Sequence, residues 1–317
     1  MKAAILHGAH DFRIETLPAP QVEPGTCLLD IKACGVCHSE IHQWQHHQEG
    51  LEYPRFIGHE VAGVVLETGA GVTAFKKGDR VAAWVDGKGY AEKVLVQVER
   101  LFPLADSIPF QQAMAEPIAC TTNAVRRANL HYGDTLAIIG VGFMGLVLLQ
   151  QIKLTFPQRL IAIDRRPQML DLAASLGADM TLNADEVNVA DEINAITNGR
   201  GLDVVFEVGG SEATLNMTAA LCRMEGKIVI FGFHPGARKI NDLGWWNWMA
   251  FDIINAHFRD LDTILHGARV GMNQLNDGKI NMSPLITRTF PLEEIETAFQ
   301  AAVDKPKGFV KAVIVNP

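Results

Sequence analysis

The segment ACGVCHSEIHQW, Ala33 to Trp44, carries two thiols three positions apart, Cys34 and Cys37, followed by His38, Ser39 and His42. Thiolate and imidazole are donors that zinc prefers, and a cysteine pair is also the unit of disulfide redox chemistry. Farther on, FIGHEVAGVVLETGAGV sets His59 beside Glu60 at the head of an expected strand. A structural zinc clamp usually needs a second ligand pair, and the chain has no second C-x-x-C. A thioredoxin-like redox pair belongs near a βαβ unit, whereas this one lies among short β-type runs. Cys37, His59 and Glu60 instead make a plausible zinc set of thiolate, imidazole and carboxylate, and an open fourth position is what marks a catalytic site.

A different chemistry is written in IIGVGFMG. Gly140, Gly142 and Gly145 form G-x-G-x-x-G, with Phe143 and Met144 inside it, directly after an apolar strand and at the head of a helix. Glycines there allow a tight turn, close backbone approach to a pyrophosphate, and close helix–strand packing. The helix N-terminus adds free N–H groups and positive potential for the phosphates. Asp164 ends the next strand, 19 residues beyond Gly145, where a ribose-binding acid belongs. An acid at that place accepts from ribose hydroxyls and repels a 2′-phosphate, which favours NAD. Arg165 and Arg166 follow at once, and an arginine there can hold a 2′-phosphate, so NADP is the second choice.

These residues need two kinds of scaffold. CLLDIKAC, VAGVVLETG, DRVAAWV and AEKVLVQV are β-type runs divided by turn residues such as Pro24-Gly25 and Lys77-Gly78-Asp79. That pattern predicts a β-rich, barrel-like domain. Beyond it, TLAIIG, RLIAID, DMTL, LDVVFEV and KIVIFG alternate with helical FMGLVLLQQIKLTF, PQMLDLAASLG, 186–197 and EATLNMTAALCRM. Continuous apolar strands alternating with helices predict a doubly wound parallel sheet of Rossmann type, covered on both faces. The tail loses the alternation and ends in strand-like GFVKAVIV, so it is expected to return to the first domain.

Composition narrows the classes. The chain has 317 residues, 48% hydrophobic and 20% charged, which is ordinary globular composition and long enough for two domains. A net charge of −8 repels phosphate backbones and argues against nucleic acid as a partner. No apolar run is long enough to span a membrane, and MKAAILHGAHDFRIE reads as a first strand rather than a leader. Five cysteines are too sparse for a disulfide framework, so a cytoplasmic location is expected.

Together the motifs resemble those of the zinc-dependent medium-chain dehydrogenase/reductase family, nearest to its sorbitol/polyol and threonine dehydrogenase branch. GHEVAGVVLETGAGV resembles the family's zinc signature, GVCHSEIH its first-ligand segment, KKGDRVA the turn that follows, and GVGFMG its cofactor loop. The resemblance covers nearly the whole chain. It implies an α/β protein with a GroES-like barrel catalytic domain over 1–119, completed by 258–317, and a Rossmann dinucleotide-binding domain over 120–257.

The same resemblance implies roles. Cys37 and His59 match zinc ligands, and Cys34 matches none. Ser39 matches the hydroxyl that takes the proton from the alcohol, and His42 the end of a relay reached through the nicotinamide ribose. His38 matches a position facing the cofactor phosphates. Gly140, Gly142, Phe143, Met144, Gly145, Asp164 and Arg165 match the cofactor site. Glu40 stands where many relatives have Asp, oriented to support the ligand histidine.

Where alcohol dehydrogenases place a third cysteine ligand, this chain has Ala115 beside Glu116, in AEPIACTTNAV. The Glu-Pro pair resembles the polyol branch, and the expected set is Cys37, His59, Glu60 and Glu116, with Cys120 as the alternative ligand. Glu60 is expected to serve catalysis as well. The four-cysteine loop of many relatives is missing from GDRVAAWVDGKGYAEKV, which implies one catalytic zinc and no structural zinc.

The implied activity is hydride transfer between NAD and an alcohol, either a polyol, a sugar alcohol or a similar hydroxy compound, by a homodimer or homotetramer. Amino-alcohol (threonine-type) and simple alcohol dehydrogenases are the alternatives within the class. A zinc-free reductase is disfavoured by Cys37, His59 and Glu60, and a non-catalytic NAD- or zinc-binding regulator by Ser39 and His42. His46 and His47 are expected in a solvated loop, and Trp245, Trp246 and Trp248 in packing or a subunit contact.

Overall fold

The computed structural model describes residues 1–46 and 52–317; His47 lies outside them. The chain forms two compact units, Met1–Ala119 together with Ile264–Pro317, and Cys120–Thr263.

In the first unit, β1 (Lys2–Gly8) and β2 (Asp11–Thr16) form an antiparallel hairpin. A seven-stranded sheet is built around β3 (Thr26–Gly35), which leads into α1 (His38–Gln45). One edge of β3 pairs antiparallel with β4 (Glu60–Thr68), and β5 (Arg80–Trp84) continues from β4. The other edge is shared. β6 (Lys93–Gln97) pairs with the first half of β3, and β7 (Leu101–Pro103) closes the far side on β5.

The second unit starts within α2 (Ala115–Ala128). It alternates β8 (Thr135–Ile139), α3 (Phe143–Lys153), β9 (Arg159–Asp164), α4 (Pro167–Ser175), β10 (Met180–Asn183), α5 (Val189–Thr197), β11 (Leu202–Glu207), α6 (Glu212–Leu221), β12 (Cys222–Ile230), α7 (Leu243–Trp248) and β13 (Asp252–Asn255). All six strands are parallel, in the order β10-β9-β8-β11-β12-β13. This is the doubly wound order, with the reversal between β8 and β11 where dinucleotides bind. Leu136, Ala137, Ile138, Val205 and Phe206 are fully buried, as strands covered on both faces must be.

The chain then runs through α8 (Leu261–Asn276) back to the first unit as β14 (Ile286–Pro291), α9 (Ile295–Asp304) and β15 (Lys311–Val315). β14 and β15 are parallel, so α9 serves as their crossover. β15 takes the free end of the shared β3 edge, with Val313 opposite Gly35. Leu292, Ile295 and Phe299 bury themselves in the core of the first unit, and the Phe299 ring lies 5.7 Å from both Trp44 and Tyr90.

Some expected elements shift. The helix expected through Met224 stops at Leu221, because Cys222 enters β12 beside Leu202 of β11. The helix expected from 186 begins at Val189, where the Asn188 side chain caps it. Of the three tryptophans, Trp246 packs in the core of the second unit, whereas Trp245 and Trp248 are exposed. Among the described residues, no helix is long and apolar enough to cross a membrane.

Candidate active site

The antiparallel register of β3 and β4 sets Gly35 directly opposite Glu60. Residues just past one strand end therefore meet residues at the other strand's start. Cys37, at the N-cap of α1, makes no side-chain cap bond. Ligand atoms of Cys37, His59 and Glu60 all lie within 4.8 Å of one another. Glu116, in the first turn of α2, stands outside this group of three, although its charge acts on Lys311 beside Glu60.

The approach of Glu60 depends on a missing side chain. A Cβ on Gly35 would lie 1.9 Å from Glu60 Oε2 and 2.7 Å from the sulfur of Met114. Glycine in this place is a requirement of space, since a methyl group would expel the carboxylate.

Two shells of polar contacts orient the group. Glu40 is buried, and its carboxylate accepts from the Gly58 amide at 2.6 Å, from His59 Nδ1 at 2.7 Å and from the Tyr90 hydroxyl at 2.5 Å. Glutamate thus reaches the imidazole despite its extra methylene. Holding Nδ1 as a donor makes Nε2 the nitrogen that could ligate a metal. Burial favours a neutral His59, but the charges of Glu40 and Cys37 outweigh it and hold its pKa well above the usual histidine value. Burial also pushes the Tyr90 hydroxyl well up, so it stays a donor to Glu40.

On the other side, Lys311 Nζ lies 2.9 Å from Glu60 Oε1 and 2.7 Å from Oε2, with both side chains buried. Burial works against the ammonium, yet the carboxylate of Glu60, then Cys37, overrides it and raises the lysine pKa. Only the bond to Oε1 has hydrogen-bond alignment, so buried Oε2 keeps no aligned donor despite the short distance. A buried carboxylate oxygen without an aligned donor, beside a thiol and an imidazole nitrogen, suits a divalent metal of zinc's preferences.

Cys34 takes no part. It is 1% exposed in β3, and burial, reinforced by Glu40 and Glu60, raises its thiol pKa well above the ordinary value. Ser39 Oγ lies 3.3 Å from Cys37 Sγ. His42 is one turn farther along the same helix face, its ring 4.9 Å from that of His46. His38 opens α1 and is exposed, as is His46.

In the second unit, Gly140 follows β8 with φ +96, and a Cβ there would lie 2.8 Å from the Gly209 amide nitrogen. A Cβ on Gly145 would lie 2.2 Å from the Gly140 carbonyl oxygen, so helix and strand meet at backbone distance. Gly142 caps α3, and Phe143 and Met144 form its first turn, half-buried. Over Gly142 a Cβ would meet only the Arg166 guanidinium, at 3.5 Å, leaving a cradle open to a phosphate. Asp164 ends β9 beneath this turn and ties it down through the Val141 amide, 3.0 Å from Oδ2. Arg165 turns outward to Asp185 at 2.7 Å.

Residues 133–255 match the zinc-binding dehydrogenase family, and residues 23–106 match the alcohol dehydrogenase GroES-like domain. The chain is 30% identical to (R,R)-butanediol dehydrogenase of Bacillus subtilis, with 100% of each chain covered. The chain belongs to the zinc-dependent medium-chain dehydrogenase/reductase family. It is also 28% identical to the sorbitol dehydrogenase of B. subtilis, over 99% of this chain and 97% of that one. The crystal structure of 2R,3R-butanediol dehydrogenase from B. subtilis superposes with a TM-score of 0.88 at 27% identity, covering 100% of this chain and 99% of that one.

Three site residues escape a reading of motifs. Lys311 had one signal, a lone charge inside the apolar run GFVKAVIV, which a buried strand accepts only with a partner. Gly35 and Tyr90 had none, because their roles come from what lies across the sheet.

Proposed function

We propose that this member of the family is a zinc-dependent dehydrogenase that moves a hydride between NAD and a polyol or similar hydroxy compound. The unit Met1–Ala119 with Ile264–Pro317 carries catalysis, and Cys120–Thr263 takes the dinucleotide. The observation that carries this reading is the convergence of Cys37, His59 and Glu60 within 4.8 Å, with one Glu60 oxygen buried and lacking an aligned donor. These three residues would hold one zinc, with Glu116 approaching from α2. When bound, the metal supplies Lewis acidity that lowers the pKa of a substrate hydroxyl.

The remaining work falls to the chain. Ser39 Oγ takes the hydroxyl proton, and His42, one turn on, passes it outward. Glu40 and Tyr90 hold His59 in one tautomer and orientation. Glu60, shared between the metal position and Lys311, sets the charge at the site. The glycine turn would hold the pyrophosphate of NAD at the head of α3, with Phe143, Met144, Asp164 and Arg165 around the cofactor.

The polyol class is supported by relatives named sorbitol, (R,R)-butanediol and erythritol/L-threitol dehydrogenases, substrates with several hydroxyls. A homo-oligomer formed along the exposed edge strand β13, where Ile253 is 50% exposed, and a cytoplasmic location complete the reading.

The test is NADH formation on a panel of polyols, sugar alcohols, amino alcohols and simple alcohols, with and without a zinc chelator. Turnover should be highest on vicinal polyols and vanish with chelator. Activity that survives complete metal removal would overturn the metal assignment. Preference for an amino alcohol or a simple alcohol would overturn the substrate class alone. Glu116→Gln should impair turnover more than Cys120→Ser; the reverse order would make the cysteine the ligand.

A further inference from the structure

A second acid stands at a strand end of the dinucleotide unit. Glu207 closes β11 and is fully buried. Its Oε1 accepts from the Gly210 amide at 2.7 Å and from the Thr214 hydroxyl at 2.6 Å. Its Oε2 pairs with His234 Nε2 at 2.7 Å. Its backbone carbonyl accepts from the amides of Phe231 (2.9 Å) and Gly232 (2.8 Å). One residue thus joins the turn that leaves β11, the first turn of α6 and the segment that leaves β12.

The side-chain tie to the β12 segment is narrow. His234 Nδ1 is buried and meets no partner, so the bond to Glu207 is the ring's only hydrogen bond among the described residues. Arg238 Nη2 reaches the Gly210 carbonyl only at 3.4 Å. Farther on, α6 fastens the segment again. Glu212 Oε2 accepts from the Lys239 amide at 3.0 Å, and Asn216 Oδ1 accepts from the Asn241 amide at 2.8 Å. Between these fastenings Phe233 is 45% exposed. The packing leaves no slack. A Cβ on Gly232 would lie 2.6 Å from Glu207 Oε2 and 2.6 Å from the Gly210 amide nitrogen, and one on Gly210 would lie 2.4 Å from the Phe233 carbonyl oxygen. Two segments meet here at backbone distance, and the carboxylate–imidazole bond sets how one lies on the other.

Their place in the sheet says what they face. Both segments leave carboxyl ends of strands on the β11 side of the reversal between β8 and β11. Ligands of a doubly wound sheet lie outside those ends, one mononucleotide to each half. Asp164 lies on the β9 side with the adenosine half, which leaves the β11–β12 side to the nicotinamide half. We propose that the Glu207–His234 pair is a positioning latch, which shapes the crevice wall against the nicotinamide half and takes no part in holding the adenosine half. This rests on the reading that Cys120–Thr263 takes a nicotinamide dinucleotide. Both residues act through the backbone of Gly210 and Phe233 and are positioning residues.

The experiment is calorimetric titration of the full chain with NADH and with ADP-ribose, which carries the adenosine half and the pyrophosphate but no nicotinamide. His234→Ala should weaken NADH by about tenfold, the loss of one hydrogen bond to a carboxylate, and ADP-ribose by less than about twofold. His234→Gln sets an amide nitrogen near the place of Nε2 and should restore NADH to within about threefold of wild type. Should the alanine variant not fold, His234→Asn, whose amide falls short of Glu207, takes its place with the same expected split. A merely structural role would weaken both ligands alike. Equal losses of NADH and ADP-ribose, unchanged affinity for both, or a glutamine variant as weak as the alanine one would overturn the proposal, and wild-type NADH binding would leave the dinucleotide reading standing. Failure of wild-type protein to bind either ligand would remove that reading and this proposal together.

Discussion

A single βαβ stretch, from Thr135 to Asp164, supplies the glycine turn, the helix behind it and the acid beneath it. The polar corner of the other unit draws on Gly35, Cys37, Glu40, the His59-Glu60 pair, Tyr90 and Lys311, carried on both ends of the chain. The turn is local, and its close contacts are backbone on backbone. The corner is a tertiary junction, where a buried carboxylate meets a buried ammonium beside a thiol and an imidazole. A local device should fail alone when damaged, whereas a junction should pass its damage into the stability of the unit that holds it.

The largest effect expected is from Cys37→Ser. Turnover should fall by about a thousandfold or more with the loss of bound zinc, while the second unit still binds NADH. Metal analysis and fluorescence titration on the same sample check it; simultaneous loss of NADH binding would mean the regions are not separable. Next comes Lys311→Met. It strips Glu60 of its buried counter-charge and should cost about 3–5 kcal/mol in urea unfolding of metal-free protein. Zinc loading should recover part of that loss, since the metal offers the carboxylate another cation; no recovery would separate Glu60 from the metal position.

Gly145→Ala tests the local device. Its Cβ would press within 2.2 Å of the Gly140 carbonyl, so NADH affinity should drop by about a hundredfold while zinc content stays complete. Zinc loss in this variant would show that the two regions fail together. The smallest effect is from Tyr90→Phe, which removes one donor from buried Glu40. It should cost about 1–2 kcal/mol of stability and about tenfold in zinc affinity, measured by competition with a chelator dye. Unchanged zinc affinity would leave Tyr90 as packing.

Legibility followed the same division. The alternation of strand and helix, the glycine spacing and the place of Asp164 could be read from residues near one another in sequence, because each obeys a local rule of period, turn or cap. The β12 boundary could not, since Cys222 extends only through pairing with β11. Cys34 and Cys37 have the same chemistry in sequence and opposite fates in space, one facing the core of β3 and one beyond its end. Glu40 could be matched to a supporting role, but its bond to Tyr90 could not, because no local pattern joins a helix residue to a bend fifty positions away.

The order of side chains along the chain determined which chemistry was available: a thiol and an imidazole beside a carboxylate, a turn able to cradle phosphate, and strands apolar enough to be covered on both faces. Tertiary structure alone decided which thiol lies beside His59 and Glu60, that Glu60 lies where any side chain on Gly35 would collide, that Lys311 returns from the far end of the chain to meet it, and that Arg166 pairs with Asp164. The reason is physical. Periods, turns and caps are set by neighbours a few bonds away, whereas burial and charge pairing are set by whatever the sheet register brings across.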